Sequence, residues 1–152
     1  MRKVYLITSE KYIRDLSGGG ATKYAGRWNP IGTYVLYTAN NPSLAMLEWL
    51  DHVRDRDMDE VYFMTTLVLP EGPIKKLDQS SLPENWLDTP PPGFLQQFGA
   101  KILDDDKWLG FEVPSVLMPL DNNVVLNAQH VLFSKVQIAE TALLVPEKRL
   151  MK

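Results

Sequence analysis

The chain has no cysteine, and its only histidines are His52 and His130. Disulfides and thiolate metal sites are therefore excluded. Two histidines so far apart in sequence also leave a structural zinc site without enough ligands. Long apolar runs are missing as well. No window approaches the ~20 apolar residues of a membrane helix, and the run Val4-Tyr5-Leu6-Ile7 behind Met1-Arg2-Lys3 is too short for a signal peptide. Nor is there an excess of positive charge. The formal net charge is −3, against the basic balance usual in a nucleic-acid binder. Phosphate-loop patterns of the G-x-x-x-x-G-K-[ST] or G-x-G-x-x-G type do not occur. Together these absences lead us to expect a soluble, cytoplasmic protein without a membrane or a nucleic acid as direct partner.

What is present fits one globular domain spanning 1–152. The length suits a single core. The 45% hydrophobic and 23% charged content is that of an ordinary soluble domain. Val4 to Ile7 reads as a strand, and Ser9 could cap a short helix over Glu10 to Leu16. The glycine run Gly18-Gly19-Gly20 reads as a loop, either flexible surface or a bare backbone that a phosphate-bearing ligand can approach. Thr33 to Ala39 predicts a strand with Val35, Tyr37 and Ala39 on one face. Asn41-Pro42 is a strong helix start, a side-chain cap followed by proline at the first helical position. The helix should run to about Arg54 with Met46, Trp49, Leu50 and Val53 as its apolar stripe. Glu48, Asp51 and His52 fall opposite that stripe, so the wheel favours a solvated Glu48 unless the polar side lines a cleft.

Asp55 to Glu60 reads as a charged connector. Val61 to Leu69 predicts a central, well-buried strand, and Ile74 to Leu77 a short one. The proline-rich stretch Leu82 to Gly93 should be irregular. Phe94, Leu95, Phe98 and Ile102 recur at helical spacing, with Gln96 and Gln97 outward. Asp104-Asp105-Asp106 lacks the interleaved ligands of a calcium loop and reads as a turn. Phe111 to Met118 reads as an edge or kinked strand because Pro114 cannot donate to a ladder. Ser115 stands outside any Gly-x-Ser-x-Gly setting, so its hydroxyl is structural or a ligand hydrogen bond rather than a nucleophile. Val124 to Leu126 and Val136 to Val145 complete six or seven strands with two or three helices. These elements do not alternate regularly, so the fold class is α+β with a largely antiparallel or mixed sheet.

Three consecutive elements carry a loop cation, a strand phenol and a helix carboxylate: Arg27, Tyr37 and Glu48. The ordered words Gly18-x-Gly20-Ala21, Gly26-Arg27-Trp28-Asn29, Gly32, Tyr37-Thr38, Leu47-Glu48, Val113-Pro114-Ser115 and Asn127-x-x-His130 resemble the RES domain, the toxin half of a bacterial toxin–antitoxin pair. That resemblance covers nearly the whole chain. It implies a split mixed sheet flanked by helices, similar to mono-ADP-ribosyltransferases, with a cleft for NAD as substrate and no metal. It also implies that NAD is cleaved at the nicotinamide–ribose bond, with water or inorganic phosphate as acceptor. Arg27 would meet the phosphates, Tyr37 the nicotinamide end, Glu48 the bond being broken, and Ser115 would hydrogen-bond in the pocket. Trp28, Asn29, Asn127 and His130 are further contact candidates. The implied partner is a helix-turn-helix antitoxin of Xre type that blocks the cleft, in a complex where the toxin could be dimeric. ADP-ribosyl transfer to a protein, and a non-enzymatic binding module, are the alternatives.

Overall fold

The computed structural model describes residues 1–23, 25–53 and 60–151. One seven-stranded mixed sheet forms its frame. In chain order the strands are β1 (Arg2–Ser9), β2 (Val35–Ala39), β3 (Tyr62–Leu69), β4 (Ile74–Lys76), β5 (Gly110–Pro114), β6 (Asn122–Asn127) and β7 (Gln137–Leu143). The helices are α1 (Gly19–Lys23), α2 (Pro42–Val53) and α3 (Phe94–Leu103). Across the sheet the order is β4-β5-β6-β2-β1-β3-β7. Only β4 and β5 run parallel; every other pair is antiparallel. This is the α+β class expected.

One junction shapes the molecule. β1 pairs with β3 over the whole of both strands, and β2 with β6 over five residues, yet β1 and β2 meet at the single pair Tyr5↔Ala39. The sheet therefore divides there into two halves. The bonds of Tyr34 O and Asn40 N to residues 128 and 122 turn the even-numbered peptide groups of β2 toward β6. Helix α2 lies over the division. Asn41 caps it as expected, with Oδ1 accepting from Leu44 N at 2.8 Å.

Apolar side chains fill both faces of the sheet. On one, α3 brings Leu95 and Leu103 against Trp28, Val35, Trp86, Phe111, Val113 and Val125. On the other, Val4, Leu6, Leu67, Leu69, Leu109, Val124 and Leu126 form a second core. Side-chain alternation along β2 splits it between these layers as predicted, Val35 and Tyr37 to the first and Leu36 to the second.

Several local expectations are corrected. Residues 10–16 form one 3-10 turn, Glu10–Tyr12, because Ser9 belongs to β1 and makes no side-chain cap. The glycine run is not a plain loop. Ser17 Oγ accepts from Gly19 N at 3.1 Å and starts α1 there. Gly18, at φ +73°, turns so close to β2 that a Cβ would sit 2.8 Å from Val35 N, so its need for glycine is one of packing. In α2 the fully buried residues are Leu44, Ala45 and Val53, not the Met46–Trp49–Leu50 stripe. β2 begins at Val35 rather than Thr33, and the last strand ends at Leu143 rather than Val145. β5 is interior, with all five residues buried, and Pro114 is tolerated because it ends the strand beyond the three-residue ladder with β4. Phe94 is half exposed, whereas Gln96 turns inward and donates to Gly26 O at 3.3 Å. Arg54, the expected end of α2, and the expected connector Asp55 to Glu60, apart from Glu60 itself, lie outside the described residues.

Candidate active site

Beside the division between β1 and β2 lies a hollow of about 460 Å³ whose walls include Arg27, Trp28, Tyr37, Glu48, Asp51, His52, Thr89 and Asn123. A smaller one of about 280 Å³ adjoins it through Tyr37, Glu48, His52 and Asn123 and runs inward past Tyr5, Ala45 and Trp49. The sheet-facing side of α2 is thus Ala45, Glu48, Trp49 and His52, four positions one helical turn or one residue apart. The polar side of the wheel does line a cleft, and Glu48 is drawn into it.

Glu48 is largely shielded from water. Asn123 Nδ2 donates to its Oε1 at 2.6 Å and to Thr38 O at 3.2 Å. Burial raises the Glu48 pKa to about 7, the Asn123 bond works against that rise, and the neighbouring carboxylates of Asp121 and Asp51 add to it. A carboxyl poised near neutrality in a cleft is a mark of a working site. Asn123 did not stand out in the sequence. Its signal was the register: it sits opposite Ala39, at the end of β2 where the halves part. It acts as the donor that holds the Glu48 side chain in place. Replacing Asn123 by Ala removes the bond that favours the charged form, so the pH midpoint of activity should move further above 7. Activity at pH 7 should fall about tenfold or more. A pH–rate profile with an unchanged midpoint would show that Asn123 does not hold Glu48.

Tyr37 lines the hollow, and its hydroxyl is engaged by the Arg27 loop. The hydroxyl donates to Asn29 Oδ1 and accepts from Trp28 N at 3.3 Å. Burial pushes its pKa well above the ordinary phenol value, countered by the Trp28 bond and by Arg27. It is a neutral anchor rather than a base. Asn29 is fully buried and staples the loop, accepting from Gly26 N at 3.0 Å and donating to Pro30 O at 3.1 Å. The Trp28 ring is buried against Phe98 and Phe111. Trp28 also borders the hollow, and with Asn29 it fixes the loop that presents Arg27.

Arg27 does not stack on Trp28. Its Nη1 donates to Trp86 O and Asp88 O, each at 2.8 Å. Burial lowers its pKa, while Asp88 and Tyr37 oppose that. The guanidinium remains positive at any working pH. Arg27 and Glu48 thus face one hollow, the first with permanent charge and the second with a tunable one.

The other expected residues lie elsewhere. Ser115 is fully buried, and its Oγ accepts from Leu117 N at 3.2 Å and Met118 N at 3.4 Å. It shapes the turn that brings Val116 and Leu117 to the wall and does not itself line the hollow. Asn127 is four residues along β6 from Asn123, about 13 Å away. It donates to Leu103 O at 3.1 Å, and His130 contacts Asp106 O at 2.6 Å and caps the next turn through Leu132 N. Both tie the end of α3 to the sheet. Among the described residues there is no cluster of His, Asp or Glu able to hold a metal, and no helix is long and apolar enough to cross a membrane.

Residues 3–146 match the RES domain family. A protein of Photorhabdus laumondii named Toxin Res is 36% identical over 125 residues, 82% of this chain and 80% of that one. A Sphingobium protein named Prs ADP-ribosylating toxin is 29% identical over 76% of this chain and 74% of its own. The fold is shared with a chain of the solved MbcT–MbcA toxin–antitoxin complex of M. tuberculosis, at a TM-score of 0.80 and 20% identity, covering 95% of this chain and 85% of that one. By the extent of these matches, the chain belongs to the RES domain family.

Proposed function

We propose that the chain is the toxin of a toxin–antitoxin pair and that it consumes NAD by breaking the nicotinamide–ribose bond. The observation that carries this is the placement of Arg27, Tyr37 and Glu48 on one hollow of about 460 Å³. That volume lies within the ~300–1,000 Å³ of ligand pockets. Arg27 suits the pyrophosphate, since a guanidinium matches phosphate oxygens in charge and geometry. The Tyr37 ring offers a flat face to the pyridine. Glu48 stands where positive charge develops on the sugar.

The chemistry needs only one carboxylate. The C1′–N bond breaks and its electron pair leaves on the nicotinamide nitrogen, which becomes neutral and needs no proton. The ribose passes through an oxocarbenium-like state that an ionised Glu48 stabilises electrostatically. Water then adds at C1′ and gives its proton to Glu48 or to solvent, yielding ADP-ribose. Inorganic phosphate in place of water yields ADP-ribose 1″-phosphate.

A second reading, ADP-ribosyl transfer to a protein, is favoured by the name of the Sphingobium relative. An antitoxin of helix-turn-helix, Xre type seated over the hollow is the partner this reading carries; the structural neighbour was solved with its antitoxin. The test is product analysis. Purified chain with NAD, with and without phosphate, should release free nicotinamide and either ADP-ribose or its phosphate ester. Label from NAD that ends on a protein band supports the second reading. No nicotinamide and no nucleotide affinity would leave a non-enzymatic binding module.

A further inference from the structure

Arg27 is the one arginine or lysine among the described residues lining the hollow. It also has a second engagement. Both N–H groups of Nη1 are directed at backbone carbonyls, Trp86 O and Asp88 O. Three N–H groups remain for an anion. Asp88 lies near enough to offset part of the positive charge. A pyrophosphate at Arg27 therefore gains from a further neutral donor nearby.

The segment that Arg27 clamps contains a residue of that kind, Thr89. Residues 86–91 have no regular structure, yet they are held at two points, with a third tie just beyond them. Trp86 is 5% exposed and packs in the core with Trp28. Arg27 holds the carbonyls of 86 and 88. Gln96, at the start of α3, is bonded back to Gly26 O. Between these ties, Thr89 and Pro91 line the same hollow as Glu48. Thr89 directly follows the carbonyl that the guanidinium grips, and both Thr89 and Arg27 line the hollow. Threonine hydroxyls are common phosphate donors.

We propose that Thr89 is a second pyrophosphate-binding residue, and that Arg27 both meets the phosphates and positions the 86–91 wall that carries it. This rests on the dinucleotide reading of the hollow.

The test uses Thr89→Val, which keeps the shape and removes the hydroxyl. Calorimetry with ADP should show a Kd five- to tenfold weaker than wild type. For NAD, KM should rise by a similar factor with kcat within twofold. Nicotinamide riboside, which has no phosphate, should be cleaved as by wild type, and Thr89→Ser should restore ADP binding. Unchanged ADP affinity in Thr89→Val would overturn the proposal. So would an equal loss for NAD and the riboside, which marks a general wall rather than a phosphate contact, or a wild type that fails to bind ADP at all. A wild type that binds ADP through Thr89 but releases no nicotinamide would sink the NAD-cleaving reading and leave this one standing. Arg27→Lys checks the clamp: proteolysis within 82–93 should quicken at least fivefold, and an unchanged rate would remove Arg27's positioning role.

Discussion

Glu48→Gln should abolish turnover, lowering kcat by about a thousandfold or more while NAD binding persists. The amide is isosteric and can still accept from Asn123, so the loop and sheet geometry should hold. What disappears is the negative charge beside the developing oxocarbenium, and preorganised charge in a shielded site is usually the largest catalytic contribution. The wild-type pH dependence follows from the same group. With the Glu48 pKa at about 7, the carboxyl is neutral in acid and charged in base. If the charged form does the work, kcat/KM should climb through pH 7 and level off above it. Stability should run the other way. The folded-state pKa is raised above the ordinary value of 4.5, so between those two pH values the folded protein holds a proton that the unfolded chain has lost. Stability therefore falls as pH rises across that window. Glu48→Gln escapes the penalty. Denaturant unfolding should find it more stable than wild type by about 2 kcal/mol at pH 8 and equal at pH 4. A variant less stable at pH 8 would mean that Glu48 is a structural group rather than a strained functional one.

Gly99→Ala is the largest structural effect we expect, and it falls on the site. α3 presses so closely on the Arg27 loop that a Cβ on Gly99 would lie 1.9 Å from Trp28 O and 2.8 Å from Trp28 C. Backbone on both sides leaves no flexible group to yield. Alanine is intrinsically the better helix former by about 1 kcal/mol, but the overlap outweighs it. Either α3 lifts from the sheet or the loop shifts, and the Trp28 N–Tyr37 bond with it. We expect a net loss of about 3 kcal/mol and a melting temperature lower by about 10 °C, with activity impaired even where the chain remains folded. Gly93→Ala is the control, because nothing lies within 4 Å of its Cβ position. It should change stability by less than about 0.5 kcal/mol. Calorimetric melting of the pair separates this crowding from general intolerance of substitution at α3.

The residues that could be read from sequence are those whose reasons are local. Asn41-Pro42 starts α2 because a side-chain acceptor and a fixed φ act within one turn. The run Val61 to Leu69 declares β3 because β-branched and aromatic residues occupy both faces of a buried strand. Arg27, Tyr37 and Glu48 were legible as an ordered set of words from three consecutive elements, and the one cleft expected of them is the hollow they line. What stayed hidden depends on distant partners. The helical wheel ranks Glu48 as solvated because it weighs polarity and cannot register that α2 lies over a gap in a sheet. Asn123 gains its role only from pairing with Ala39 across β2 and β6. Ser115, Asn127 and His130 carry groups able to meet a ligand, yet their hydrogen bonds go to neighbouring backbone. Gln96 looked outward on its own helix and is turned inward by the Gly26 carbonyl.

The proposed function requires that one dinucleotide span Arg27 and Glu48. The most direct measurement is a crystal structure of the Glu48→Gln variant soaked with NAD. Uncleaved NAD should occupy the hollow, its pyrophosphate on the Arg27 guanidinium, its pyridine on the Tyr37 ring and the nicotinamide ribose C1′ within about 4 Å of the residue 48 side chain. NAD bound elsewhere, or in the hollow with its ribose turned away from residue 48, would contradict it.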